Sequence, residues 1–105
     1  MLIFTDISSI KSHLNKLKKE GNIIGFVPTM GALHNGHLSL VKKSILENNV
    51  TVVSIFVNPT QFDNSEDLRT YPSNIKNDIG QLKSISDEII LFNPDSDEIY
   101  SDGIK

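Results

Sequence analysis

His34 and His37, three residues apart, are the side chains whose type and spacing point most directly to chemistry. They lie in the stretch Pro28-Thr29-Met30-Gly31-Ala32-Leu33-His34-Asn35-Gly36-His37-Leu38-Ser39-Leu40. The apolar run Ile23–Val27 leads into it, and Leu38, Val41 and Ile45 lead out on one helical face, the pattern of a buried strand, a short loop and a helix. With Gly36 and His37 opening the helix, both imidazoles project beside unpaired backbone N–H groups, where partial positive charge accepts phosphate. The same field lowers a histidine pKa, so both rings are expected to be neutral near pH 7 and still able to donate hydrogen bonds. Gly36, lacking Cβ, lets a phosphate or flat base approach the backbone. H-x-G-H in this setting suits a triphosphate attacked at its α-phosphorus.

Two plainer readings use the same residues. Paired histidines at a helix start can simply cap it, and i, i+3 histidines can share a zinc ion. The chain has no cysteine and only one further histidine, His13, so a zinc site would need carboxylates that nothing nearby in sequence fixes.

The surrounding elements set where this loop stands. Ile7, Ile10, Leu14 and Leu17 recur at helical spacing from Asp6 to Glu20, with Asp6 or Ser8 to cap the start, lysines in the last turn and Gly21 to end it. A first strand is predicted over Asn22–Val27, buried on both faces as in a parallel sheet. A helix follows from Gly36 to about Asn48, closed by Asn48-Asn49, both tolerant of a left-handed conformation. Val50–Val57 is β-branched and reads as the central strand. Strand–helix–strand at this spacing makes a parallel βαβ unit, and the two strand ends then bring the His34–His37 loop and the Asn58–Phe62 loop to one edge, where open α/β sheets bind ligands. In that second loop Gln61 could hold a carboxylate without a cation that would blunt its nucleophilicity, although Asn58-Pro59 is also an ordinary turn opener. Asp63–Thr70 reads as an exposed loop, Ser73–Lys83 as a helix with Ile75, Ile79 and Leu82 toward the sheet, and Asp87–Phe92 as a third strand. Asp78 and Gln81, one turn apart on that helix, line the cleft with Tyr71 or sit on a solvated face. His13 reads as a solvated surface residue, and Asp97–Lys105 as loop.

Bulk properties bound the partners. The 105 residues carry a formal net charge of −3, with a pI near 5.5, which argues against a nucleic-acid or anionic-membrane surface. Absence of cysteine excludes a disulfide scaffold and fits a reducing cytoplasm. No apolar run approaches the ~20 residues of a membrane span, and Met1-Leu2-Ile3-Phe4 is too short for a signal peptide.

The Pro28–Leu40 stretch, the segment Val53-Ser54-Ile55-Phe56-Val57-Asn58-Pro59-Thr60-Gln61-Phe62, the Asp67-Leu68-x-x-Tyr71-Pro72 motif and Glu98-Ile99-Tyr100 together resemble the pantothenate synthetase (pantoate–β-alanine ligase) family over almost the whole chain. The resemblance implies a partial doubly wound, Rossmann-like parallel sheet of the H-x-G-H nucleotidyltransferase type. On it, residues 1–105 form the N-terminal portion of the nucleotide-binding domain, without the C-terminal remainder and lid. It implies a cytoplasmic homodimer that forms pantoyl adenylate from ATP and pantoate, then pantothenate, the coenzyme A precursor, with β-alanine. His37, and secondarily His34, would be catalytic; Met30, Gly31, Ala32, Leu33, His34, Asn35, Gly36 and His37 would bind ATP. Gln61, Pro28, Met30 and Tyr71 would bind pantoate and β-alanine, with Mg²⁺ held near Asp78 and Gln81. The family usually carries arginine after the Tyr-Pro pair, where this chain has Ser73. Another H-x-G-H nucleotidyltransferase has no reason to carry the Asn58–Phe62 loop; a non-catalytic nucleotide-binding fragment is the remaining alternative. Thr29–His37 and Asn58–Phe62 contain no lysine or arginine, so residues 1–105 alone are expected not to neutralise departing pyrophosphate, and hence to be inactive.

Overall fold

The computed structural model describes residues 1–56 and 75–94. Four parallel strands, β1 (Leu2–Phe4), β2 (Ile24–Thr29), β3 (Val50–Ile55) and β4 (Ile90–Phe92), stand in the order β1-β4-β3-β2. Among the described residues three helices accompany them: α1 (Ile7–Lys19), α2 (Asn35–Glu47) and α3 (Ile75–Ile85). The path from β1 to β2 crosses the sheet one way, and β2 to β3 to β4 returns. A constant crossover hand then sends α1 to one face and α2 and α3 to the other. The two cores show this division. Val41 and Leu82 pack with Val27, Val53 and Leu91 on one side, and Ile10 packs with Val52 and Ile90 on the other. Successive residues of β3 and β4 therefore serve opposite cores, as the period of two in a strand requires. The fold is the doubly wound α/β type expected from the sequence.

Local chemistry sets the helix ends. Asp6 caps α1 by accepting from the Ser9 N–H at 2.9 Å, which holds its carboxyl below the usual range. Gly21 follows with φ +90°, the left-handed closure expected of it. Asn48 instead is extended, with φ −131°. Strand β3 begins two residues later, at Val50, and leaves no length for a left-handed turn. The asparagine side chains act in its place: Asn48 Nδ2 donates to the Ser44 carbonyl at 3.0 Å, and Asn49 Oδ1 accepts from the Ile23 N–H at 2.7 Å.

Strand β2 also departs from expectation. It extends through Pro28 and Thr29, and it is not buried on both faces: Phe26 is 58% exposed. Within the described sheet β2 is an edge strand, which tolerates the missing N–H of Pro28. α1 packs over Val52 and Ile90, leaving Phe26 uncovered. β1, unread in the sequence, pairs with β4 from Leu2↔Ile90 to Phe4↔Phe92. β4 starts only at Ile90, and His13 is half-buried, its ring 5.3 Å from that of Phe4. The sequence readings for 57–74 and 95–105, including both polar loops and the two residues read as helical before Ile75, lie outside the described residues.

Leu82 is fully buried and Leu46 is 87% exposed. Leu82→Ala should lower unfolding free energy by about 2–5 kcal/mol, and Leu46→Ala by no more than ~0.5 kcal/mol, in urea titrations followed by circular dichroism. Equal losses would contradict the assigned core.

Candidate active site

Strands β2 and β3 end side by side, with Thr29 paired to Ile55 and the Phe56 N–H bonded to the Thr29 carbonyl at 3.1 Å. The Thr29 hydroxyl donates to the Ser54 carbonyl at 3.0 Å and accepts from the Gly31 N–H at 3.2 Å. It fastens the start of the loop to the central strand, a role its position in the motif did not disclose. Gly31 turns with φ +87°, and a Cβ there would stand 3.3 Å from Ile55 Cγ2 and 3.4 Å from Asp78 Oδ2. Ala32 follows with φ +52°, the left-handed region that costs an L-residue energy.

Leu33 then drops into the core beside Val41 and Val53. Its N–H donates to Asp78 Oδ1 at 2.9 Å, and the Ala32 N–H to Asp78 Oδ2 at 3.1 Å. Gln81 Nε2 reaches the Leu33 carbonyl at 3.3 Å. Asp78 is 1% exposed, so it is on neither a solvated face nor an open cleft wall. Both of its oxygens engage loop amides, which gives no support to a metal at Asp78 and Gln81. Among the described residues, no three His, Cys, Asp or Glu side chains are grouped to hold a metal ion. The buried aspartate was detectable in principle, since Ile75, Asp78, Ile79 and Leu82 share one helical stripe.

His34 and His37 cap α2 reciprocally. His34 Nδ1 accepts from the Gly36 N–H at 3.0 Å, and His37 Nδ1 accepts from the His34 N–H at 3.2 Å. The rings lie 4.0 Å apart, tilted by 39°. A nitrogen that accepts carries no proton, so each neutral ring bears its proton on Nε2. The capping reading and the chemical reading are thus compatible: Nδ1 serves the helix, and Nε2–H is the donor left for chemistry. Gly36 makes room for the His34 ring, since a Cβ would stand 2.9 Å from its Cε1. Burial holds the His37 pKa below 6.5, with the neighbouring His34 adding to the effect and the Asp78 charge opposing it.

Of the other sequence candidates, Met30 is half-buried, Asn35 is exposed at the helix start, and Pro28 is exposed at the end of β2. Gln61 and Tyr71 lie outside the described residues.

Because the folded state disfavours protonated His37, its contribution to stability is full above the unfolded pKa, near 6.5, and is lost as pH falls from there through the folded value. Imidazole NMR titration should place the His37 midpoint below 6.5, with nitrogen shifts showing a proton on Nε2. A midpoint at or above 6.5, or a proton on Nδ1, would contradict the cap.

Comparison with known proteins shows what the chain is similar to. The family profile described as pantoate-beta-alanine ligase matches residues 2–105. The chain is 54% identical over 103 residues to the pantothenate synthetase of Francisella tularensis subsp. novicida, covering 98% of this chain and 39% of that protein. With the Flavobacterium psychrophilum pantothenate synthetase it shares 49% identity over 100 residues, or 95% and 36% of the two chains. A crystal structure of the Francisella tularensis pantoate-beta-alanine ligase, complexed with beta-gamma ATP and beta-alanine, superimposes with a TM-score of 0.86 at 53% identity, over 97% of this chain and 38% of that one. The pantothenate synthetase of Thermus thermophilus gives 0.83 at 36% identity, over 100% and 36%. The chain thus spans between a third and two-fifths of the length of these relatives. The profile match over residues 2–105, together with these identities, places the chain in the pantoate–β-alanine ligase family.

Proposed function

We propose that the chain contributes the adenylate-forming site of a pantoate–β-alanine ligase. The carboxylate oxygen of pantoate attacks the α-phosphorus of ATP, a P–O bond forms, and the bond to pyrophosphate breaks. The amine of β-alanine then attacks the acyl carbon, AMP leaves, and the amine loses its proton as the amide of pantothenate forms. The observation carrying this reading is the reciprocal histidine cap, which leaves two Nε2–H groups as donors at the carboxyl edge of the sheet. Negative charge grows on the α-phosphate oxygens as the carboxylate attacks, and neutral, preorganised donors stabilise that charge without reorganising. Met30 to Gly36 would border the nucleotide, with the α2 amides offering further donors.

The Francisella tularensis structure with an ATP species and β-alanine supports the choice of substrates. Gln61, Pro28, Met30 and Tyr71 are assigned to pantoate and β-alanine, and the homodimer and cytoplasmic setting are included, all on the resemblance. Mg²⁺ would neutralise triphosphate charge, but the described residues offer it no ligand set, and no step here passes through it.

The test is pantoate-dependent exchange of labelled pyrophosphate into ATP by a full-length ligase that carries these residues. His37→Ala should lower the exchange rate by about two to three orders of magnitude, as for loss of one preorganised donor, while ATP affinity falls far less. Unchanged exchange would overturn the role of His37. Gln61→Glu places a negative charge beside the substrate carboxylate. Calorimetry should show pantoate affinity dropping sharply with ATP binding nearly unchanged, and equal losses for both ligands would refute the assignment.

A further inference from the structure

The loop that presents the histidines is held from α3, by a residue none of the chemistry above requires. We propose that Asp78 is a positioning residue, fixing the Ala32–Leu33 backbone so that His34 and His37 meet the substrate as a pair. The proposal rests on the reading above only for what the histidines do; the geometry stands by itself.

A carboxylate that is 1% exposed needs compensation, and the Ala32 and Leu33 N–H groups supply it, one to each oxygen, at 3.1 and 2.9 Å. Those two amides immediately precede His34, whose own N–H is capped by His37. The chain thus presents three successive amides, at residues 32, 33 and 34, to side-chain acceptors, and any shift of the first two displaces the third. Asp78 also acts against strain, because Ala32 sits at φ +52° and would leave that region without a partner for its N–H. Gln81, one turn on, takes the Leu33 carbonyl. Donor and acceptor of the same residue are therefore both read by α3. The Leu33 side chain completes the attachment by packing in the core that contains Leu82.

The experiment compares Asp78→Asn with Gln81→Ala and the double variant Asp78→Asn/Ala32→Gly, in a full-length ligase that carries these residues, by amide hydrogen exchange and by pyrophosphate exchange. Asparagine keeps the shape but offers one acceptor and an NH₂ group where two amides need oxygen. The Ala32, Leu33 and His34 amides should exchange about ten- to a hundredfold faster, as expected for loss of a buried acceptor. Val52, Val53 and Leu91 should keep their protection. The rate of adenylate formation should fall with little change in the KM for ATP. Gln81→Ala should loosen the same amides to a smaller degree, which keeps the proposal testable if the asparagine variant does not fold. Glycine at residue 32 adopts positive φ without penalty, so the double variant should regain part of the lost rate.

Unchanged protection at residues 32–34, or equal loss across core and loop, would overturn the proposal. So would failure of glycine to restore any rate while loop protection returns. If loop protection falls as expected but none of the proteins, parent included, exchanges pyrophosphate, the functional reading fails and the positioning role stands.

Discussion

The constraint on which this structure turns is the fate of four backbone amides, those of Ala32, Leu33, His34 and Gly36. A chain leaving a parallel strand for a helix must bend within a few residues, and its N–H groups lose their ladder partners before the helix provides new ones. The Leu33 amide, which is buried, would cost about 1–3 kcal/mol if left unpaired, whereas those of His34 and Gly36 lie at the exposed helix start. Here every one finds a side-chain acceptor: Asp78 for two, His37 and His34 for one each. Aspartate is a common choice at such positions and histidine an uncommon one. Using histidine makes the fold and the chemistry share atoms. The nitrogen that accepts from the backbone dictates which nitrogen carries the proton, and therefore which face of the ring can donate to a ligand.

That arrangement explains why neutrality of the rings matters locally. Protonating His37 puts a hydrogen on the Nδ1 that receives the His34 amide, so the cap and the charged ring are mutually exclusive. Burial and the nearby His34 both work against the charged form. The sequence suggested a low pKa from the helix field; in the structure the lowering of His37 comes first from desolvation and then from His34. Gly36 belongs to the same logic. Its missing Cβ is required by the His34 ring folding back over it, at least as much as by any ligand approaching from outside.

The parts of this architecture that could be read directly from the chain are those governed by a single dominant pattern. β3 is a β-branched run buried among its neighbours, α2 carries Leu38, Val41 and Ile45 on one stripe, and the glycine and histidine positions mark the loop between. Readings failed where two rules competed. Pro28-Thr29 reads as the start of the loop after a strand ending at Val27, yet an edge strand accommodates proline and β2 continues through both. Asn48-Asn49 favours a left-handed closure, yet the start of β3 at Val50 requires extended backbone, and the amide side chains take over the capping. β1 is three residues long, too short for any period to show, and exists because β4 offers it an edge. Asp78 was the most informative misreading. Polarity suggested a cleft wall or solvent, whereas its place in the Ile75, Ile79 and Leu82 stripe turned it inward.

Turning inward is what lets a core residue affect a site near the surface. α3 contributes Leu82 to the same cluster that holds Leu33, Val41, Val53 and Ile55. Asp78 sits one turn before Leu82, so the packing of that leucine and the placement of the carboxylate are set by a single rigid helix. Protein interiors are close-packed and transmit small displacements rather than absorbing them. A change of volume under α3 would move the two carboxylate oxygens, and with them the amides leading to His34. Thr29 anchors the other end of the loop to the Ser54 carbonyl of the central strand. The histidine pair is therefore suspended between β3 and α3, two elements whose relative position is fixed by the larger core, and its geometry is a property of that core as much as of the loop's own sequence.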